Sequence, residues 1–169
     1  LVIEAIETEV GVLTVIGAIA LGPVGGMILG GMFGITSFLQ CMGIGGTSAM
    51  GVILFEINPL LAFVQRFLPR LLAGLLAGFA YKGFKKMTNN TVACFVTGFL
   101  AALLNTVLFM TALVVLFGNT EYVQGLIGGR NVIVFICAFV GVNAVVEMIA
   151  DCMIVGVVGR VLTKFLTRR

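Results

Sequence analysis

Forty-six consecutive residues, 10–55, carry no charged side chain, and a second uncharged stretch covers the 34 residues 87–120. A helix that crosses a bilayer needs ~20 apolar residues, so the first stretch is long enough for two helices. Charged residues make up 10% of the chain and the mean hydropathy is +1.22, whereas a soluble domain has roughly 25% charged residues. The sequence therefore predicts an all-α integral membrane protein with a single transmembrane domain over residues 1–169. Most soluble enzymes are excluded, and a net charge of +3 does not indicate a nucleic-acid partner.

The pair Gly22-Pro23 divides the first stretch, because proline fits the first turn of a new helix better than the interior of an old one. Loops rich in Gly, Ser and Thr are predicted between the later apolar segments. The predicted helices cover residues 8–21, 23–42, 60–84, 91–117 and 131–167.

The basic residues form two clusters, and two predicted helices lie between them. Lys and Arg concentrate in cytoplasmic segments, so both clusters are expected on the cytoplasmic side, together with the C-terminus. The N-terminal end of the chain is then outside, and one further helix before Leu1 is expected, which would make six. The clusters consist of Lys82, Lys85 and Lys86, and of Arg160, Lys164, Arg168 and Arg169.

Polar side chains on four helices are predicted at one depth. Counted along each helix from its cytoplasmic end, they lie roughly 18–21 Å out at a rise of ~1.5 Å per residue. Polar groups inside a membrane are costly and indicate function by default, so this level predicts a pocket open to the outside. The residues are Thr36, Ser37, Arg70, Asn105 and Glu147, with Asn143 one turn above Glu147.

Several of these residues have two interpretations. Arg70 either forms a buried ion pair with Glu147 or binds an anionic ligand group, since a guanidinium matches a carboxylate with two parallel hydrogen bonds. Arg66, one turn further out, either joins this site or extends its side chain to the interface. Asn105 and Asn143 could equally form hydrogen bonds between helices.

Small residues recur every fourth position at Gly22, Gly26, Gly30 and Gly34. Such a face lets helices approach closely in lipid. It serves either contacts within this chain or an interface with another membrane subunit.

Elements of common enzyme active sites are missing from the sequence. It contains no histidine and no phosphate-binding loop, and its four cysteines lack metal-ligand spacing. We therefore expect neither an enzyme nor a metal or cofactor site.

Five sequence blocks, in this order along the chain, resemble the substrate-binding S components of energy-coupling factor (ECF) vitamin transporters. They are Ile16 to Pro23, Gly30 to Ser37, Asn58-Pro59, Pro69 to Gly74, and Asn143 with Glu147. The resemblance implies a six-helix bundle in the bacterial plasma membrane, with its first helix missing from this chain. It also implies a transmembrane coupling subunit, contacted through the Gly22, Gly26, Gly30 and Gly34 face, and two cytoplasmic ATPases that supply energy.

The Asn-Pro and Pro-Arg blocks are most similar to the pantothenate-type branch. That similarity implies Arg70 for a carboxylate, and Asn58, Asn105, Asn143 and Glu147 for neutral groups. Thr36, Ser37 and Arg130 complete the predicted substrate-binding set. The alternatives are another vitamin or precursor (pyridoxine-type, hydroxymethylpyrimidine or riboflavin), an integral membrane enzyme, or a pore.

Overall fold

Every described element of the computed structural model is an α-helix. The structure describes residues 2–44, 46, 48–129, 131, 134, 149, 152–161 and 164, and these contain no strand. The helices are α1 (Val2–Cys41), α2 (Ala49–Ile57), α3 (Pro59–Met87), α4 (Asn90–Phe117), α5 (Glu121–Ile127) and α6 (Cys152–Val161). By length and composition, three described segments are apolar enough to cross a membrane: Gly11–Cys41, Pro59–Met87 and Asn90–Phe117. The first of these is broken at Gly22. The fold is that of an all-α membrane protein, as the sequence predicts.

Helix α1 is a hairpin of two arms, residues 2–21 and 23–41. Gly22 has φ 79° and ψ −167°, a positive-φ backbone conformation that residues with a Cβ rarely adopt. Beyond it the chain turns back, so that a Cβ on Gly26 would lie 2.7 Å from Cβ of Ala18, and one on Gly11 would lie 3.8 Å from Cε1 of Phe33. The break falls where Gly22-Pro23 predicts it.

The second arm of α1 packs on α3 through its glycines. A Cβ on Gly26 would meet the backbone carbonyl of Gly74, and one on Gly30 would meet that of Arg70. A Cβ on Gly34 would lie 2.8 Å from Cα of Phe67. The structure thus uses this face for contacts with α3, and a contact with a coupling subunit stays a prediction. Gly22 belongs to the turn, beside the side chain of Lys82.

Two apolar clusters hold the helices together at opposite ends of the bundle. The lysine-end cluster lies at the end of the bundle that carries Lys82, Lys85 and Lys86, and it joins the first arm of α1 to α3, α4 and α6. The loop-end cluster lies at the opposite end, and it joins α2 and α5 to α3 and α4. The buried members of the first are Val12, Val15, Ala18, Ile19, Ala77, Tyr81, Ala93, Cys94, Ala101 and Val155. Those of the second are Leu54, Ala62, Met110, Leu113, Phe117, Val123 and Ile127.

The α3–α4 turn and the end of α6 share one end of the bundle. Tyr81 donates a hydrogen bond of 2.7 Å to Oδ1 of Asn90 across the turn. A Cβ on Gly159 would lie 3.1 Å from Sγ of Cys94. The lysines of α3 and Arg160 of α6 are therefore at the same end, as the charge pattern predicts. Arg168 and Arg169 lie outside the described residues.

Candidate functional site

A polar layer separates the two apolar clusters. On α3, Arg66 and Arg70 lie between Ala62 of the loop-end cluster and Ala77 of the lysine-end cluster. On α4, Asn105 occupies the corresponding place between Ala101 and Met110. The layer includes Ser37, Gln40, Gln65, Arg66 and Arg70, each at most 3% exposed.

The two arginines are one helical turn apart and share a face of α3. Burial of a charged side chain is costly unless other groups compensate it. Nη1 of Arg66 donates to Oγ of Ser37 (3.4 Å) and its Nη2 donates to Oγ of Ser48 (3.0 Å). Nη1 of Arg70 donates to the carbonyl oxygen of Arg66 (3.1 Å). The layer thus concentrates two positive charges inside the bundle.

Aromatic rings cover the guanidinium groups. Cζ of Arg70 lies 4.5 Å from the ring centroid of Phe33 and 5.2 Å from that of Phe109. Cζ of Arg66 lies 5.1 Å from the ring centroid of Phe109. A cation over an aromatic face is attracted by the ring quadrupole, so these rings from α1 and α4 hold the two guanidinium groups in place.

Ser48, the last residue before α2, contacts Arg66. Ser48 is the N-cap of α2, where its hydroxyl accepts from the backbone N–H of Gly51 and from Arg66. A Cβ on Gly51 would lie 3.0 Å from Nη2 of Arg66. The loop-end wall of the layer therefore depends on a small residue at position 51.

A partly open cavity within the helix bundle lies on the side of Arg70 that faces away from Arg66. Its volume is about 40 Å³, and its described lining comes from both arms of α1, from α3 and from α4. Arg70, Asn105 and Thr14 supply its polar groups, and Oδ1 of Asn105 has no hydrogen-bond partner among the described residues. We call this space the interior cavity.

The structure brings three of the predicted substrate-binding residues together. Arg70 and Asn105 line the interior cavity, and Ser37 contacts Arg66 one turn away. Thr36 is exposed, and its hydroxyl donates to the carbonyl of Met32 in its own helix (3.0 Å).

Asn58 lies apart from this group, at the start of α3. Its Oδ1 accepts from the backbone N–H groups of Leu60 (3.1 Å) and Leu61 (3.2 Å). This is an N-cap, which satisfies backbone donors at the first turn. Arg130, Asn143 and Glu147 lie outside the described residues.

Sequence reasoning left Arg66 with two interpretations and missed other residues of the layer. Arg66 is 3% exposed, so it does not extend to an interface. Gln40 and Gln65 are buried amides that the depth argument could have found, because both are polar residues within apolar helices. Nothing in the sequence marked Phe33 and Phe109 as residues of the site, since phenylalanine is common in every segment of this chain.

The described part of the layer combines cationic and neutral polar groups. Its side chains are two guanidinium groups, hydroxyls and amides, and the described residues contain no group of three or more His, Cys, Asp or Glu that could hold a metal ion. Glu56, the acidic residue of α2, is exposed. Two adjacent guanidinium groups present several N–H donors in a fixed geometry, which suits a carboxylate or phosphate.

Comparison with known proteins agrees with this architecture. The model of the family described as "ECF transporter, substrate-specific component" matches residues 8–159. A curated relative, the pantothenate transporter PanT of Leuconostoc mesenteroides subsp. mesenteroides, is 30% identical over 158 residues, which cover 90% of this chain and 73% of that protein.

Proposed function

Because the chain belongs to the family of ECF transporter substrate-specific components, we propose that it binds pantothenate at the polar layer for import into the cell. The observation that carries this proposal is the pair of buried arginines, Arg66 and Arg70, on one face of a membrane-crossing helix. Pantothenate has one carboxylate together with hydroxyl and amide groups. The arginines suit its charge, and the neighbouring hydroxyls and amides suit its neutral part.

The relative supports the choice of substrate. It is named a pantothenate transporter, and its match extends over 90% of this chain. The polar layer offers what such a ligand needs: cationic groups for one carboxylate, and neutral donors and acceptors for the remainder.

The protein acts with partners that supply energy. We infer a transmembrane coupling subunit and two cytoplasmic ATPases, as the family's transporter role implies. The lysine end of the bundle then faces the cytoplasm with the C-terminus, because basic residues concentrate on that side. The loop-end cluster lies between the polar layer and the opposite compartment, from which the vitamin is captured without being chemically changed.

Calorimetric titration of the full-length purified protein with pantothenate tests the binding step. We expect saturable one-to-one binding that is lost in the variant carrying both Arg66→Gln and Arg70→Gln. The variant carrying both Lys85→Gln and Lys86→Gln is the matched control, because it also removes two positive charges but changes exposed residues at the other end of the bundle. Equal binding by wild type and the arginine double variant would contradict the assignment of the arginines.

Uptake of labelled pantothenate tests the transport step. Cells that express the protein with its coupling subunit and ATPases should accumulate the label, and an ATPase variant unable to hydrolyse ATP should abolish accumulation. Accumulation that persists with the inactive ATPases would contradict an energy-coupled importer.

A further inference from the structure

Small side chains form much of the wall of the interior cavity. Five of its described lining residues have the smallest side chains available: Gly11, Ala73, Gly74, Ala101 and Ala102. They come from α1, α3 and α4, and larger side chains at these positions would fill the space. A single water position needs roughly 10–15 Å³, so about 40 Å³ admits a group of a few heavy atoms.

The polar groups of the cavity define what can enter it. Oδ1 of Asn105 is buried and accepts no hydrogen bond from the described residues. A buried acceptor without a donor is unfavourable, so an O–H or N–H group placed there would be stabilised. Arg70 on the same wall disfavours a cation. The cavity therefore favours a neutral donor.

The position of the cavity relates it to the arginine pair. Its α3 lining runs from Arg70 through Ala73 to Gly74, away from Arg66. A ligand whose carboxylate binds the guanidinium groups can extend in this direction into the small-residue pocket. Methyl and methylene groups of the ligand would contact the alanines and glycines there, and a hydroxyl of the ligand would reach Asn105.

We propose that the interior cavity binds the neutral, hydroxyl-bearing end of the carboxylate ligand, with Oδ1 of Asn105 accepting a hydrogen bond from that hydroxyl. This inference rests on the proposed function and names the residues that determine which ligand binds. Asn105 selects for a hydroxyl, and Gly11 with its small neighbours sets the size of the group that fits.

Two ligands and three variants of the full-length protein test the proposal by calorimetry. The ligands are pantothenate and its analogue with hydrogen in place of the terminal hydroxyl. Wild type should bind pantothenate about tenfold more tightly than the analogue, the ratio expected for one hydrogen bond to a buried acceptor. Asn105→Ala should reduce this ratio to near one, chiefly by weakening pantothenate.

Gly11→Ala tests the size limit without disturbing the fold. The added methyl would lie 3.8 Å from Cε1 of Phe33, an ordinary contact, and alanine favours a helix over glycine. We expect the thermal unfolding temperature to be maintained while both ligands bind at least severalfold more weakly. Gly83→Ala is the matched control, since nothing lies within 4 Å of its added methyl, and it should bind as wild type does.

The outcomes separate this inference from the proposed function. If wild type binds pantothenate, but Asn105→Ala keeps the full tenfold preference or Gly11→Ala binds like Gly83→Ala, the cavity assignment is overturned and the function stands. If wild type binds no pantothenate, the proposed function fails and the cavity assignment fails with it.

Discussion

At the scale of single residues, Arg70 is positioned by its surroundings more than by its own flexibility. Phe33 and Phe109 lie over its guanidinium group, and its Nη1 donates to the carbonyl of Arg66. These contacts use the planar, delocalised character of the group, which an ammonium lacks. The charge alone therefore does not account for the choice of arginine at this position.

Arg70→Lys should separate charge from shape. Lysine keeps the positive charge but loses the planar face over Phe33 and the rigid fork of donors. We expect affinity for pantothenate to fall by about tenfold, with a smaller change in thermal stability than Arg70→Gln causes. Calorimetry and thermal unfolding of both variants check this, and an affinity equal to wild type in the lysine variant would mean that only charge matters.

Gln65 presents a different case, because its side chain is fully buried and neither amide atom has a hydrogen-bond partner among the described residues. Leucine has a similar volume and no polar atoms. Gln65→Leu should therefore stabilise the ligand-free protein by about 1–3 kcal/mol, the cost of an unsatisfied buried polar group. Thermal unfolding without ligand measures the change, and a lower unfolding temperature would show that the amide contributes favourably.

At the scale of helices, the sequence predicted the break in α1 but not the partner of its glycine face. Gly22-Pro23 is a local signal, since positive φ and a proline at the first turn concern only neighbouring backbone. A repeat of small residues indicates close approach to some helix without specifying which. Here it is α3, and the contact at Gly30 is with the backbone of Arg70 itself.

Gly30→Ala should therefore affect both stability and binding. Its methyl would collide with the carbonyl of Arg70, so α3 must shift at the residue that carries the guanidinium group. We expect a loss of about 1–3 kcal/mol in stability and weaker pantothenate binding. Gly31→Ala is the neighbouring control, because its methyl would lie 3.7 Å from the Phe67 ring. Equal behaviour of the two variants would argue against the close backbone contact.

At the scale of the whole molecule, counting residues along helices predicted the depth of polar residues but not the direction in which their side chains point. Arg70 and Asn105 do reach one cavity, because the helical rise per residue is nearly constant. Thr36 and Ser37 share a depth, yet one is exposed and the other buried, because successive residues point about 100° apart around the axis. Arg66 was undervalued because one sequence alone does not show which way a side chain faces.

The orientation of the molecule can be checked with single cysteines. After replacement of the four native cysteines, Glu121→Cys should react with a membrane-impermeant maleimide in intact cells. Met87→Cys, which is 82% exposed at the lysine end, should react only after the cells are permeabilised. The reverse labelling pattern would invert the proposed orientation.

The hairpin of α1 also bears on how the protein enters the membrane. Its turn at Gly22 has no charged residue nearby in sequence, since residues 10–55 are uncharged, and the cation beside it is Lys82, contributed by a later helix. Flanking charge influences which segments are translocated during insertion, and the residues around this turn carry no charge. We therefore expect the two arms to partition into lipid together as one unit, and Lys82, Lys85 and Lys86 at the end of α3 to favour the cytoplasmic side for this end of the bundle.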